Sequence, residues 1–179
     1  MATLNGTDGN DQISGTDNAD TINGFGGADF IAGNNGDDSI VGGSGNDTIY
    51  GDGGNDWIES GAGNDLISGG GGQDTYVFRE FGAANADTVA NFATAWDKVQ
   101  LDVAAFSNIG ANGQFASGDV RFFAAPGATS GHDADDRIVY DTSTGNLYYD
   151  ADGNGAGGAQ LVATLQGAPT VHPGDIWVI

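Results

Sequence analysis

The chain has 179 residues, enough for one domain or two small ones, and sets 25 acidic side chains against 4 Lys and Arg, a formal net charge of -21. Such a surface repels phosphates and anionic membranes, so nucleic acid is excluded as a partner and cations or basic surfaces remain. There is no cysteine, hence no disulfide and no thiolate site, and no run approaches the ~18 apolar residues of a membrane span.

The opening MATLNGTDGN has neither a basic start nor an apolar core, so it is not a cleavable signal peptide, and an extracellular destination needs another export route. Met1 directly before the first repeat fits either a short complete protein or the end of a longer one.

From Gly6 to Val77 the sequence is eight units of nine residues without a gap: GTDGNDQIS, GTDNADTIN, GFGGADFIA, GNNGDDSIV, GGSGNDTIY, GDGGNDWIE, SGAGNDLIS and GGGGQDTYV. The sixth slot is always Asp: Asp11, Asp20, Asp29, Asp38, Asp47, Asp56, Asp65 and Asp74. The eighth is Ile seven times and then Tyr76. Each unit divides into six turn residues and a three-residue strand. Gly at slots one, two and four permits left-handed backbone angles, and the strand's middle side chain points inward.

Two units make one 18-residue coil with strands on opposite walls. Ile13, Ile31, Ile49 and Ile67 form one ladder, and Ile22, Ile40, Ile58 and Tyr76 the other. A unit this short buries no core alone, so the period predicts a stacked parallel solenoid. Phe30, Tyr50 and Leu66 then share one outer face, and Val41 and Trp57 the other. These are either scattered surface residues or a face covered by the rest of the chain or a partner.

Stacking also superimposes the slot-six carboxylates at the ~4.8 Å separation of neighbouring strands. Two such charges repel by roughly 3 kcal/mol at an effective dielectric of ~20. Several pairs would cancel a domain stability of about 5–15 kcal/mol. Residues 1–78 hold 13 carboxylates and no Lys, Arg or His, so the coils need protons or a metal to close.

Without Cys or repeat His, zinc and copper lack their usual ligands. Carboxylates and turn carbonyls suit Ca²⁺, with Mg²⁺ second because it demands a stricter octahedron. Eight units give 8 − 2 = 6 pairs: Asp11/Asp29, Asp20/Asp38, Asp29/Asp47, Asp38/Asp56, Asp47/Asp65 and Asp56/Asp74. Up to six interior Ca²⁺ sites are expected, with weaker ones in the less regular first two units. The competing reading is a metal-free solenoid in which Asp and Asn cap turns. Asp8, Asp17, Asp37 and Asp52 are solvated charges or weak outer ligands.

After Val77 the period stops, which divides the chain into a repeat domain at 1–78 and a β-rich cap at 79–179 that shields the last coil. Strands are predicted at Asp74–Phe78, Asp87–Phe92, Lys98–Asp102, Asp119–Phe123, Arg137–Asp141, Asn146–Asp150, Gln160–Leu165 and Ile176–Ile179, with a short helix over Val103–Ile109. Asp150 to Gly155 resembles the start of an EF-hand loop, but position twelve is Leu161 where a bidentate Glu belongs, so a polar turn is the reading. His132 and His172 stand alone in loop-like sequence and read as solvated. There is no G-x-S-x-G or H-E-x-x-H, so no catalytic residue is assigned and the chain is read as a non-enzyme.

The repeats, followed by QDTYVF, ADTVANF, WDKVQL and DRIVYD…GNLYYDADG, resemble the C-terminal portion of repeats-in-toxin (RTX) proteins: secreted metalloproteases, lipases and the R-modules of alginate epimerases. The resemblance implies a right-handed parallel β-roll with a β-rich cap, and calcium held at slot six with turn carbonyls. It also implies an uncleaved C-terminal signal for a type I secretion exporter, similar here to Asp175-Ile176-Trp177-Val178-Ile179. The family's second acid in the ADTVANF stretch is replaced by Asn91.

The resulting expectation is a secreted, extracellular module that folds on binding calcium outside the cell, since ligand binding to the folded state alone adds folding energy. The alternative is a calcium-dependent binding module for an alginate-like polysaccharide in a larger secreted enzyme whose catalytic domain lies upstream.

Overall fold

The nonapeptide period becomes a parallel β-roll. A computed structural model describes residues 1–179 and contains strands but no α-helix. Strands from alternate units form two sheets, with every inter-coil pairing in the repeats offset by 18 residues. On one wall Leu4 pairs with Ile22, Ile22 with Ile40, Ile40 with Ile58 and Ile58 with Tyr76. On the other Ile13 pairs with Ile31, Ile31 with Ile49 and Ile49 with Ile67. The two ladders meet in the middle as one apolar core, in which the Ile residues from Ile22 to Ile67 are essentially inaccessible.

The strands are longer than three residues in the middle of the roll. Thr21–Gly26, Ser39–Ser44, Thr48–Gly53, Trp57–Ala62 and Leu66–Gly71 each span six, because the first turn residues also stay in register, as Phe25 does with Gly43. The turn geometry differs from expectation too. Left-handed angles occur at slots two and four, for example Asp52 (φ 71) and Gly54 (φ 134), and not at slot one. Slot one is glycine for room: a Cβ on Gly24 would fall against the carbonyl oxygen of Gly42 in the next coil. Thr7, Thr16 and Asn18 do not take left-handed angles, so the first two units turn differently from the other six.

Both parallel ladders run past Val77. Asp87–Ala90 lies parallel to Leu66–Gly71, and Lys98–Leu101 parallel to Thr75–Phe78. The offsets become 88 − 66 = 22 and 98 − 75 = 23, with the extra residues looped out. Val89 and Val99 extend the apolar ladders, followed by Leu165 and Ile176. Gln160–Leu165 then begins an antiparallel ribbon through Asn146–Tyr149 and Ile138–Asp141, with Phe122–Ala125 parallel at the edge. Ile176–Val178 closes the other sheet, with Gly113–Gln114 antiparallel at its edge.

Two expectations are corrected. Residues 103–109 form turns and not a helix: Phe106 N–H reaches Asp102, but the next bond shortens to Ile109 N–H on Phe106, and Asn108 (φ 75) and Gly110 (φ 103) leave helical space. The strand expected at Asp119–Phe123 lies at Phe122–Ala125, because Asp119 instead caps the preceding turn through Arg121 N–H. The outer aromatic face is not covered by the cap. Phe30 and Leu66 occupy one column and remain exposed, with Tyr50 against Phe30 at 5.7 Å between ring centroids.

Candidate metal centre

The eight slot-six Asp fall in two lines of four along the roll, Asp11–Asp29–Asp47–Asp65 and Asp20–Asp38–Asp56–Asp74, and those from Asp20 to Asp74 are buried. Each forms a backbone rung. The N–H of Asp11 donates to Asp29 Oδ1 at 2.8 Å, and the same bond joins Asp20 to Asp38, Asp29 to Asp47, Asp38 to Asp56, Asp47 to Asp65 and Asp56 to Asp74 at 2.7–3.0 Å. One oxygen of each carboxylate therefore caps a turn, as the metal-free reading proposed. The second oxygen separates the readings. Oδ2 of Asp29, Asp38, Asp47, Asp56, Asp65 and Asp74 is buried with no hydrogen-bond partner. An orphaned buried oxygen costs about 1–3 kcal/mol, and more when charged.

The first two units behave differently. Asp11 Oδ2 accepts Thr7 N–H at 2.6 Å and the Thr7 hydroxyl at 2.8 Å, and Asp20 Oδ2 accepts both from Thr16 at 2.7 Å. Threonine at slot two thus supplies locally what units three to eight lack.

Burial shifts the carboxyls from Asp38 onward. Burial, with a smaller push from neighbouring carboxylates, raises Asp56 to about 7 and Asp74 to about 6, and raises Asp38, Asp47 and Asp65 as well. The bond from Ala2 N–H, helped by Thr16, lowers Asp20.

The orphaned oxygens lie beside further oxygen donors. The space a Cβ on Gly24 would fill is bordered by Asp29 Oδ2 and the Gly42 carbonyl. The equivalent space at Gly33 is bordered by Asp38 Oδ2 and the Gly51 carbonyl, at Gly42 by Asp47 Oδ2 and the Ser60 carbonyl, and at Gly51 by Asp56 Oδ2 and the Gly69 carbonyl. An anionic oxygen paired with a backbone carbonyl, without nitrogen or sulfur, is the donor set of a hard cation such as Ca²⁺. The residues present fit that ion.

Two features lay outside the sequence reading. Asp87 and Asp97 continue the Asp ladder beyond the repeats: Asp65 N–H donates to Asp87 Oδ1 and Asp74 N–H to Asp97 Oδ1, each at 3.0 Å. Their second oxygens are satisfied, Asp87 by the Ser60 hydroxyl at 2.7 Å and Asp97 by Ala93 N–H at 2.8 Å. The signal was the D-x-Val pattern in ADTVANF and WDKVQL, hidden by the broken spacing. Slot-five side chains make an outer ladder, with Asn46 Oδ1 accepting Asn64 N–H and Asn55 Oδ1 accepting Gln73 N–H. Asn91 is exposed and accepts the Ser68 hydroxyl, so it takes no part in the ladder.

A second cluster, His132, Asp133 and Asp136, has ligand atoms within 4.8 Å of one another. Asp136 Oδ2 already accepts His132 N–H and Asp133 N–H and contacts His132 Nδ1 at 2.6 Å. With that oxygen engaged, the His132 Nε2 and Asp133 carboxylate that would complete the cluster are both exposed.

Fold and site together define a parallel β-solenoid with an interior carboxylate ladder. Residues 5–40 and 41–76 each match the family model described as the RTX calcium-binding nonapeptide repeat (4 copies), and the chain carries RTX calcium-binding repeats. RTX repeats bind Ca²⁺, and the stacked Asp ladder is consistent with that. No curated protein matches the chain. Among solved structures it is similar to the solution structure of the AlgE6R3 subunit from the Azotobacter vinelandii mannuronan C5-epimerase, at 26% identity and a TM-score of 0.50, over 96% of this chain and 79% of that one.

Proposed function

We propose that this chain is a calcium-triggered folding module of a protein that leaves the cell through a type I exporter. The observation that carries this reading is the row of six buried, unpartnered Oδ2 atoms on Asp29, Asp38, Asp47, Asp56, Asp65 and Asp74. At neutral pH and low calcium those oxygens disfavour the closed roll. In millimolar calcium outside the cell the ion supplies their partners, and binding energy becomes folding energy.

Asp11, Asp20, Asp29, Asp38, Asp47, Asp56, Asp65 and Asp74 are the proposed ligand residues, for up to six interior ions. The fullest donor sets belong to Asp29, Asp38, Asp47 and Asp56, each with a carbonyl from the next coil. Asp11 and Asp20, already held by threonine, are the weakest. The module itself carries no catalytic constellation. Division into a repeat domain at 1–78 and a cap at 79–179 is kept as a functional one: metal-dependent residues precede the boundary and metal-independent ones follow it.

The test is calorimetric calcium titration beside far-UV circular dichroism. Uptake of four to six ions with a gain of β signal is expected. No uptake, or full β signal in excess chelator at pH 7.5, refutes the reading.

Likeness to a subunit of a mannuronan epimerase supports a second reading, an alginate-like polysaccharide-binding part of a larger secreted enzyme with its catalytic domain upstream. The charges favour it less. Arg79 is held by Glu59 at 3.1 Å and Asp102 at 2.9 Å, Arg121 by Asp119 at 2.7 Å, and Arg137 by backbone carbonyls. Lys98 sits over Trp177, so the basic side chains form no open groove. Alginate retardation in affinity electrophoresis, with and without calcium, separates the readings.

A further inference from the structure

Slot one of the repeat is glycine in every unit but the seventh, which has Ser60. The strand register sets Ser60 level with Gly42 of the preceding coil, since Val41 pairs with Glu59 and Gly43 with Gly61. At Gly24 and Gly42 the space that a Cβ would fill is the cradle itself, bordered by Oδ2 of Asp29 or Asp47 and a carbonyl of the next coil. Ser60 carries a Cβ and a hydroxyl into the equivalent space of its own coil, and it is buried.

The next coil meets that hydroxyl with a carboxylate. Asp65 N–H donates to Asp87 Oδ1 at 3.0 Å, so Asp87 stands to Asp65 as Asp65 stands to Asp47. The Ser60 hydroxyl donates to Asp87 Oδ2 at 2.7 Å. Earlier on the same line, the second oxygens of Asp29, Asp47 and Asp65 have no partner. The Asp65 carboxyl faces both Ser60 and Asp87, so three buried side chains meet at the joint between roll and cap.

We propose that Ser60 is a stop residue: it plugs the next cradle of the Asp11–Asp29–Asp47–Asp65 line and sets a hydroxyl where an ion between Asp65 and Asp87 would sit. This rests on the calcium reading of the ladder above. Glycine at position 60 would empty the cradle and leave Oδ2 of both Asp65 and Asp87 buried without partners. Two unpaired buried carboxylate oxygens are costly and form the donor chemistry of a hard cation. The backbone accepts the change, because Ser60 has no positive φ and seven other units already carry glycine there.

The second line ends without a plug. The nearest atoms to a Cβ on Gly69 all belong to Asp74, with no next-coil carbonyl among them. Gly15 and Gly33 N–H donate to the carbonyls of Ala32 and Tyr50 in the next coil, whereas Gly69 N–H donates to the Tyr76 hydroxyl at 3.0 Å. Removing a side chain therefore opens a further cradle only at Ser60.

Equilibrium dialysis against calcium at pH 7.5 tests this by counting ions per chain, with far-UV circular dichroism on the same samples. Ser60→Gly is expected to bind one ion more than the wild type. Ser60→Ala should leave the count unchanged, because the methyl group still fills the cradle. Adding Asp87→Asn to Ser60→Gly should return the count to the wild-type value. The proposal is overturned by a Ser60→Gly chain that gains no ion or lacks the wild-type β signal in saturating calcium. A lost ion in Ser60→Ala also overturns it, since the hydroxyl is then a ligand, as does a gained ion that survives Asp87→Asn. No uptake by the wild type refutes the folding-module reading and this inference with it. Wild-type uptake without a gain in Ser60→Gly refutes this inference alone.

Discussion

The two halves of this molecule bury the same side chain in opposite ways. In units three to eight each buried Asp has one oxygen on a backbone N–H of the previous coil and one with no partner. Past residue 78 no Asp oxygen is both sealed and without a partner. Asp87 and Asp97 take a bond on each oxygen, and Asp141 gathers Gly127 N–H, Ser143 N–H, and the Ser143 and Thr144 hydroxyls. Those bonds, led by the Ser143 hydroxyl, hold the Asp141 carboxyl far below its usual range. Burial of carboxylates is thus not what creates a metal requirement. The requirement we propose for the repeats comes from burial combined with glycine-rich turns that offer no side-chain donor.

The largest expected effect is removal of calcium. In excess chelator at pH 7.5, amide protection should be lost over Thr21–Val77, and far-UV β signal should fall. Uniform protection across the roll would erase the contrast between the halves.

Acid should partly replace the metal. Asp56 at about 7 and Asp74 at about 6 have folded pKa values raised above an ordinary 3.8. The metal-free roll is therefore penalised most above about pH 7. The penalty shrinks as pH falls through these values and is gone below the unfolded pKa. In chelator, β signal should rise as pH is lowered from 8 to 5, and a fall over that interval contradicts the assignment.

Single substitutions sharpen the contrast. Asp47→Asn keeps an oxygen for Asp29 N–H but removes the charge at the orphaned position, so it should cost at least one bound ion and about 1–3 kcal/mol of calcium-loaded stability. Asp11→Asn, in a threonine-capped unit, should change stability by less than about 0.5 kcal/mol. Equal effects in paired titrations would show that the threonine caps do not matter. Gly51→Ala places a methyl group against Asp56 Oδ2 and the Gly69 carbonyl at a position without positive φ, so ion stoichiometry should drop through filling of the cradle.

Ser60→Ala gives the smallest effect. It removes the hydroxyl bond to Asp87, and about 1 kcal/mol of thermal stability should be lost with ion stoichiometry unchanged. A lost ion instead would make Asp87 a ligand.

Much of this was legible in the residues. A period of nine with Ile at slot eight can stack only if every second unit meets in register, so the Ile22–Ile40–Ile58–Tyr76 column and the Asp ladder followed from local pattern alone. The turns were read less well, because the three glycine slots answer different demands: slots two and four need left-handed angles, and slot one needs empty space beside another coil's carbonyl. That neighbour is 18 residues away and invisible to local conformational preference.

The sequence by itself determined the solenoid, its apolar ladders and the two lines of four Asp whose charge calls for protons or a metal, because each follows from a short repeat whose neighbours are copies of itself. Only the tertiary structure decided which oxygen of each carboxylate is left without a partner, that Thr7 and Thr16 spare the first two units, and that Asp87 and Asp97 close the ladder. The Asp87 and Asp97 rungs depend on contacts across offsets of 22 and 23 residues, and the threonine caps on the turn that slot two adopts, neither of which the period specifies.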